Sequence, residues 1–258
     1  MHTNFKRQTA IITGAGQGIG FGVAKALLEQ GANVLLNDLD AALAEQAANK
    51  LNELQKGKCI PHTGDASQPE VIDDIIHSSI HQFGTVDIVV ANAGITIFKP
   101  FIDFELADFQ KIMAVNLQGS FFLTQAAAKV MQQQENGGQV LLLSSIVGQR
   151  AFPNSAAYAM SKAALSMMAR TLVIELSPLG IRINAIAPGA TVTERTQENN
   201  PDYASTWRRH NPDGQVATPE DIAETALFLL SSAARHINGQ TITVDGGWTG
   251  VGNHPKEF

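Results

Sequence analysis

The chain is short of cysteine, of charge and of long apolar runs, and each shortage closes off a class of protein. A single cysteine, Cys59, stands in 258 residues, so no internal disulfide can form. Flanked by Lys58 and Ile60 in an apparent strand, it reads as a small core residue rather than a nucleophile. Charged residues make up 16% of the chain, against roughly 25% in ordinary soluble domains, which points to extensive burial, subunit contacts included. The net charge of −6 offers no footprint for nucleic acid or an anionic membrane. No stretch approaches the roughly 20 apolar residues of a membrane span. The seven histidines are scattered, without the His/Cys/carboxylate spacing of a zinc site, so no metal is expected. Residues 1–7 hold no apolar run of a secretory signal, and the expectation is a soluble cytoplasmic protein.

What the chain does have is alternation. Short β-rich runs at 9–13, 33–37, 58–61, 86–91, 139–143, 182–187 and 241–244 are separated by helical periodicity at 19–30, 41–54, 69–83, 106–134, 156–176 and 219–229. Strands alternating with helices of this length predict βαβ units and a parallel sheet covered on both faces. Gly31, Gly84, Gly137-Gly138 and Gly180 punctuate the boundaries. One α/β domain over 1–258 accounts for the length. The stretch 191–217 has no clear periodicity; it follows a strand whose carboxyl end faces a ligand crevice, and is expected to be a lid.

The first strand leads into Gly14-Ala15-Gly16-Gln17-Gly18-Ile19-Gly20, which opens a helix. Glycines in such a turn let backbone N–H groups approach a pyrophosphate, with the helix dipole behind them. The spacing is Gly14-x3-Gly18-x-Gly20, not the general G-x-G-x-x-G fingerprint. Asp38 ends the second strand, where a carboxylate would hydrogen-bond the adenosine ribose and repel a 2′-phosphate. Lys25 is the one cation between Gly14 and Leu39, and it lies inside the helix. Asp40 is the rival carboxylate, expected to cap the next helix.

Tyr158-Ala159-Met160-Ser161-Lys162 carries the chemistry. Tyrosine and lysine four apart share one face of a helix. An ammonium beside a phenol favours the phenolate, pulling its pKa down from about 10 and making it a usable general acid/base. Ser145, thirteen residues upstream, could hydrogen-bond the substrate oxygen. Ser144 is its rival, but strand alternation sends it to the other side.

Taken together, these motifs identify the chain as similar to the short-chain dehydrogenase/reductase family, from Thr9 to Gly247. The resemblance implies a Rossmann-type doubly wound parallel sheet of seven strands flanked by helices on both faces. It implies a catalytic set of Asn116, Ser145, Tyr158 and Lys162, with Asn116 holding a water that links the lysine to solvent. Gly14, Gln17, Gly18, Ile19, Gly20 and Asp38 become cofactor contacts for NAD. Asp65-Ala66 lies beside the adenine, and Asn92-Ala93-Gly94 supports the fourth strand, with Ala91 replacing the family's first Asn. Pro188-Gly189, Thr191 and Thr193 lie against the nicotinamide, and Tyr158 and Lys162 also reach the cofactor.

The expected reaction is hydride transfer between a secondary alcohol and a ketone, or a sugar hemiacetal and lactone. A 3-oxoacyl thioester reductase is the first alternative, disfavoured because Asp38 opposes NADPH. A non-catalytic NAD-binding regulator is the second, disfavoured by the intact Tyr158–Lys162 pair. Thr96, Gln149 and Asn154 suggest a small polyol, sugar or hydroxy acid, with Ser145, Gln149, Asn154 and Tyr158 as substrate contacts. Arg150, Arg208, Arg209 and His210 form a basic group that either reads an anionic substrate or faces solvent or a subunit. Small residues on helices 106–134 and 156–176 permit close packing, and the resemblance implies a homotetramer.

Overall fold

Both faces of every central strand are covered, which is why the strands read as unbroken apolar runs. The computed structural model describes residues 4–251, so the ends of the expected 1–258 domain lie outside the described residues. Seven strands, β1 (Thr9–Thr13), β2 (Asn33–Asp38), β3 (Cys59–Thr63), β4 (Ile88–Ala91), β5 (Gly138–Leu143), β6 (Ile181–Pro188) and β7 (Thr241–Val244), form one sheet in the order β3-β2-β1-β4-β5-β6-β7. All pairs are parallel. Side-chain alternation divides the core in two. Ile12, Leu36, Val90 and Leu141 face one layer, beneath α1 (Gly18–Glu29), α2 (Ala41–Asn52) and α9 (Pro219–Leu230). Ile11, Leu35, Val89 and Val140 face the other, beneath α3 (Pro69–Phe83), α5 (Gly119–Met131) and α6 (Ala156–Leu176). Each such side chain contributes about 1.5–3 kcal/mol by leaving water. Cys59 is buried and its thiol is pushed up to about 12 by that burial, in keeping with a core residue.

The chain passes from β3 under the sheet to β4, so strand order reverses between β1 and β4, and the crevice at their carboxyl ends is where such sheets take ligands. The expected helix 106–134 is not continuous. It runs as α4 (Leu106–Ile112), a π-helical turn (Met113–Gln118) and α5. The wide turn brings Asn116 fully inside, where a straight helix would carry it past the sheet. The stretch 191–217, expected to be a lid, is not irregular either. Thr193 and Thr196 make a capping box that starts α7 (Glu194–Asn199), and α8 (Tyr203–Arg208) follows; at six residues each, both are too short to show periodicity. Among the described residues no helix is long and apolar enough to cross a membrane.

Candidate active site

The cofactor turn is built from main-chain groups. The side chain of Asn92, just past β4, donates to the carbonyls of Thr13 (2.9 Å) and Gly14 (2.8 Å), tying the two strand ends together. Gly20 lies so close beneath them that a Cβ would stand 2.5 Å from Asn92 Nδ2. Gly14 and Gly18 both have positive φ, +60° and +62°. Gln17 offers no side-chain cap, and α1 has no acidic residue in its first turn. Two carboxylates take the amides of the turn instead. Asp38 Oδ2 accepts from Gly16 N at 2.9 Å, and Glu194 Oε2, from the lid, accepts from Gly18 N at 3.1 Å. The first amide of α1 thus holds an anion, which is what a pyrophosphate would require of it. Asp40, as expected, caps α2 through Ala42 and Leu43. Asp65 turns back onto Ser67 N and Ala66 is buried against α5, past the end of β3.

Beyond this turn opens a cavity of about 520 Å³, within the usual range of small-molecule sites. Ile19, Asn92, Gly94, Pro188, Gly189, Thr191 and Thr193 line its cofactor side, and Ser145, Tyr158 and Lys162 its floor. Gly14, Gln17, Gly18, Gly20, Asp38, Asp65, Ala66 and Ala93 lie outside its walls, along the approach from β1 to β3. Ser144 points away, donating to Lys162 O at 2.7 Å.

Lys162 is buried; its Nζ donates to Leu143 O at 2.6 Å and lies 5.7 Å from the centre of the Tyr158 ring. Burial lowers its pKa from 10.5 to about 8. Tyr158 is held above its ordinary value, first by burial, while hydrogen bonds with Ser145 and Thr96 and the charge of Arg195 pull it back. The expectation that Lys162 pulls the phenol below its ordinary value is therefore corrected. An ammonium with its own desolvation penalty, bonded to a carbonyl, gives the phenol little support, and Ser145 and Thr96 act on it instead. Asn116 sits behind Lys162: a Cβ on Gly94 would be 3.3 Å from Lys162 Nζ and 3.4 Å from Asn116 Oδ1. Its amide is committed to Ile95 N (2.8 Å), Ile95 O (3.0 Å) and Ser161 Oγ (3.0 Å), so it clamps the loop after β4.

Two substrate-side expectations fail, and the basic group turns out to lie outside the cavity. Gln149 does not line the cavity; it accepts from Thr243 Oγ1 at 3.2 Å. Asn154 is an exposed turn residue with φ +58° and is also absent from the walls. Arg150 faces away, donating to the carbonyls of Trp248 (3.0 Å), Thr249 (3.1 Å) and Val251 and lying over the Trp248 ring. Arg208, Arg209 and His210 are likewise outside. The walls are aromatic: Phe98, Phe152 and Trp207 follow one another at 6.1 and 6.2 Å between ring centres, with Tyr203 beside Trp207. The Tyr203 phenol is bonded to the Thr191 main chain, yet burial pushes it up to about 12. Arg195, Asn199 and Asn200 complete the wall. Sequence reading missed Phe98, Arg195 and Tyr203; the Thr193–Thr196 capping pattern was the one available sign that α7 begins there.

Comparison with known proteins places this geometry. The family model described as enoyl-(acyl carrier protein) reductase matches residues 14–249. A 3-oxoacyl-[acyl-carrier-protein] reductase from Chlamydia trachomatis is 34% identical over 241 residues, covering 93% of this chain and 96% of that protein. A short-chain type dehydrogenase/reductase from Mycobacterium marinum superposes with a TM-score of 0.90 at 32% identity, over 95% of this chain and 97% of that one. A 7α-hydroxysteroid dehydrogenase, solved with NADH and 7-oxo glycochenodeoxycholic acid, superposes with a TM-score of 0.88 at 34% identity, over 95% of both chains.

Proposed function

The chain belongs to the short-chain dehydrogenase/reductase family, and from that premise we propose that it is an NAD-dependent oxidoreductase interconverting a secondary alcohol and a ketone. One observation carries the reading: the Tyr158 hydroxyl meets Ser145 and Thr96 on the floor of a cavity that continues into the glycine turn. Bound nicotinamide supplies the hydride acceptor or donor. Tyr158 takes the alcohol proton in the oxidative direction and returns it in the reductive one. Ser145 fixes the substrate oxygen beside it, and Lys162 holds the ribose and relays the proton. Asn116 positions Lys162 through the loop that Gly94 keeps open. Placement and proton transfer are the protein's share of the rate.

Asp38 argues for NAD. Its carboxylate stands at the rim of the turn, and Lys25, the one cation between Gly14 and Leu39, is paired with Glu29 at 3.3 Å along α1. Gly14, Gln17, Gly18, Ile19, Gly20, Asp65, Ala66, Asn92, Ala93, Gly94, Pro188, Gly189, Thr191 and Thr193 are the remaining dinucleotide contacts of this reading. A polyol, sugar or hydroxy acid rested on Thr96, Gln149 and Asn154, of which Thr96 lines the cavity; the aromatic walls favour a substrate with an apolar body. A 3-oxoacyl thioester reductase is the second reading, supported by the similarity to the Chlamydia trachomatis protein.

Exposed apolar residues on α4, α5 and α6, such as Leu106, Phe121, Phe122, Met167 and Ile174, suit a homotetramer of a cytoplasmic enzyme. Light scattering reads the mass directly, and a monomer at micromolar concentration would remove that part of the proposal. Absorbance assays over aryl alcohols, hydroxysteroids and 3-oxoacyl thioesters, each with both nicotinamide cofactors, test the rest. Turnover of thioesters with NADPH alone would replace the first reading with the second.

A further inference from the structure

Arg195, in the first turn of α7, lines the cavity beyond the cofactor turn. It lines the wall with Tyr158, Thr96 and Asn199, and it is exposed there. Among the described residues it makes no ion pair. The cavity walls hold no aspartate or glutamate, although the whole chain carries −6. Two cations line them, and Lys162 is already committed to Leu143 O, which leaves Arg195 as the cation available to a ligand. Opposite charge anywhere in that wall would have quenched it. The same cavity is lined by the aromatic run of Phe98, Phe152 and Trp207.

We infer that Arg195 sets the substrate class: the ketone or alcohol has an apolar body that lies on Phe152 and Trp207 and an anionic group, carboxylate, sulfonate or phosphate, that the guanidinium takes. The planar fork of arginine suits each of these anions. This rests on the oxidoreductase reading and narrows it. The position is favourable for a second reason. The charge of Arg195 already reaches the Tyr158 hydroxyl and favours its ionised form. A bound anion would offset that charge in part, so recognition acts through binding rather than through faster chemistry.

The test uses benzoylpropionate and its primary amide, which share a ketone and an aromatic body and differ in charge. Binding of each to the NADH-loaded full chain is measured by calorimetry, and reduction of each by absorbance, for the wild type, Arg195→Met, Arg195→Lys and Arg208→Ala. The expected wild-type preference for the carboxylate is roughly tenfold in Kd and KM, the lower end for a charge-assisted contact that keeps some solvent. Arg195→Met abolishes the preference, Arg195→Lys keeps part of it, and Arg208→Ala, outside the cavity, leaves it whole. NADH affinity stays the same in all four. Equal binding of acid and amide by the wild type, or no binding of either, overturns the inference. A fall in NADH affinity in Arg195→Met also overturns it and makes Arg195 a dinucleotide contact. Carboxylate binding that depends on Arg195, with neither ketone reduced, sustains the inference and sinks the oxidoreductase reading instead.

Discussion

The two halves of the cleft are made by different means. On the cofactor side the contacts are backbone geometry: Asn92 holds two carbonyls, Gly16 and Gly18 offer their amides, and glycines at positive φ set the turn. On the substrate side the walls are side chains from three distant segments, carrying Phe98, Phe152, and Tyr203 with Trp207. A backbone site fixes which residue types stand at which spacing, because only glycine tolerates the conformation. A side-chain wall accepts any ring of adequate size, and nothing in local spacing marks it. The first half is consequently legible in residue spacing, and the second is not.

The largest effect that would sharpen this contrast lies at the junction of the halves. Tyr158→Phe removes one oxygen and leaves the walls intact, so turnover should fall roughly 10³-fold while NADH binding stays near the wild-type value. Retention of a tenth of the activity would show that another group moves the proton.

Lys162→Met should also lose activity, yet stabilise the free protein. The folded pKa of about 8 lies below the unfolded 10.5, so the unfolded chain holds the extra proton between those values and stability rises with pH through that window. Below pH 8 the buried charge costs about 3 kcal/mol, part of which its bond to Leu143 O returns. Thermal melts at pH 7 should place the variant several degrees above the wild type. The gap should close as pH climbs from 8 towards 10.5, and a constant gap would contradict the assignment.

Asp38→Ala acts wholly on the backbone half. NAD should bind the wild type at least tenfold more tightly than NADP, about 1.4 kcal/mol, and the variant should narrow that margin. Comparable affinities in the wild type, measured by titration calorimetry, would refute the role of the carboxylate.

The smallest effect crosses from one half to the other. Glu194, on the lid, holds the amide that a pyrophosphate would need. Glu194→Gln should tighten NADH roughly threefold, in line with a charge at an exposed helix terminus, and the gain should shrink in high salt. Unchanged affinity would mean that Glu194 leaves the turn without cost.

The difference between the halves also decides how much the sequence could tell. All seven strands and the turn were legible, because glycine spacing and apolar runs are local signals. Asn116, Ser145, Tyr158 and Lys162 were legible through their order along the chain. The break in the helix at Asn116 was not, since a π-helical turn shares its residue types with the α-helix on either side. Gln149 and Asn154 looked like pocket residues by proximity to Ser145, but one turns to Thr243 and the other to solvent. Whether Arg150 met an anion or a surface was open in the sequence; three carbonyls at the end of the described chain hold it. Arg195 was hidden because which way a lid side chain points depends on where α7 begins.

The chain has two tryptophans, and both belong to one contact: Trp207 on α8 and Trp248 beyond β7 meet edge to face at 5.9 Å. All indole emission of the protein therefore arises at the seam between the lid and the tail, beside the cavity. At that separation the two transitions couple, so near-ultraviolet dichroism reports the ring-to-ring angle as well as the environment. Reduced nicotinamide bound in the cleft would accept energy from the same pair. The pair is thus a built-in optical gauge of how α8 packs against the segment after β7, requiring no label.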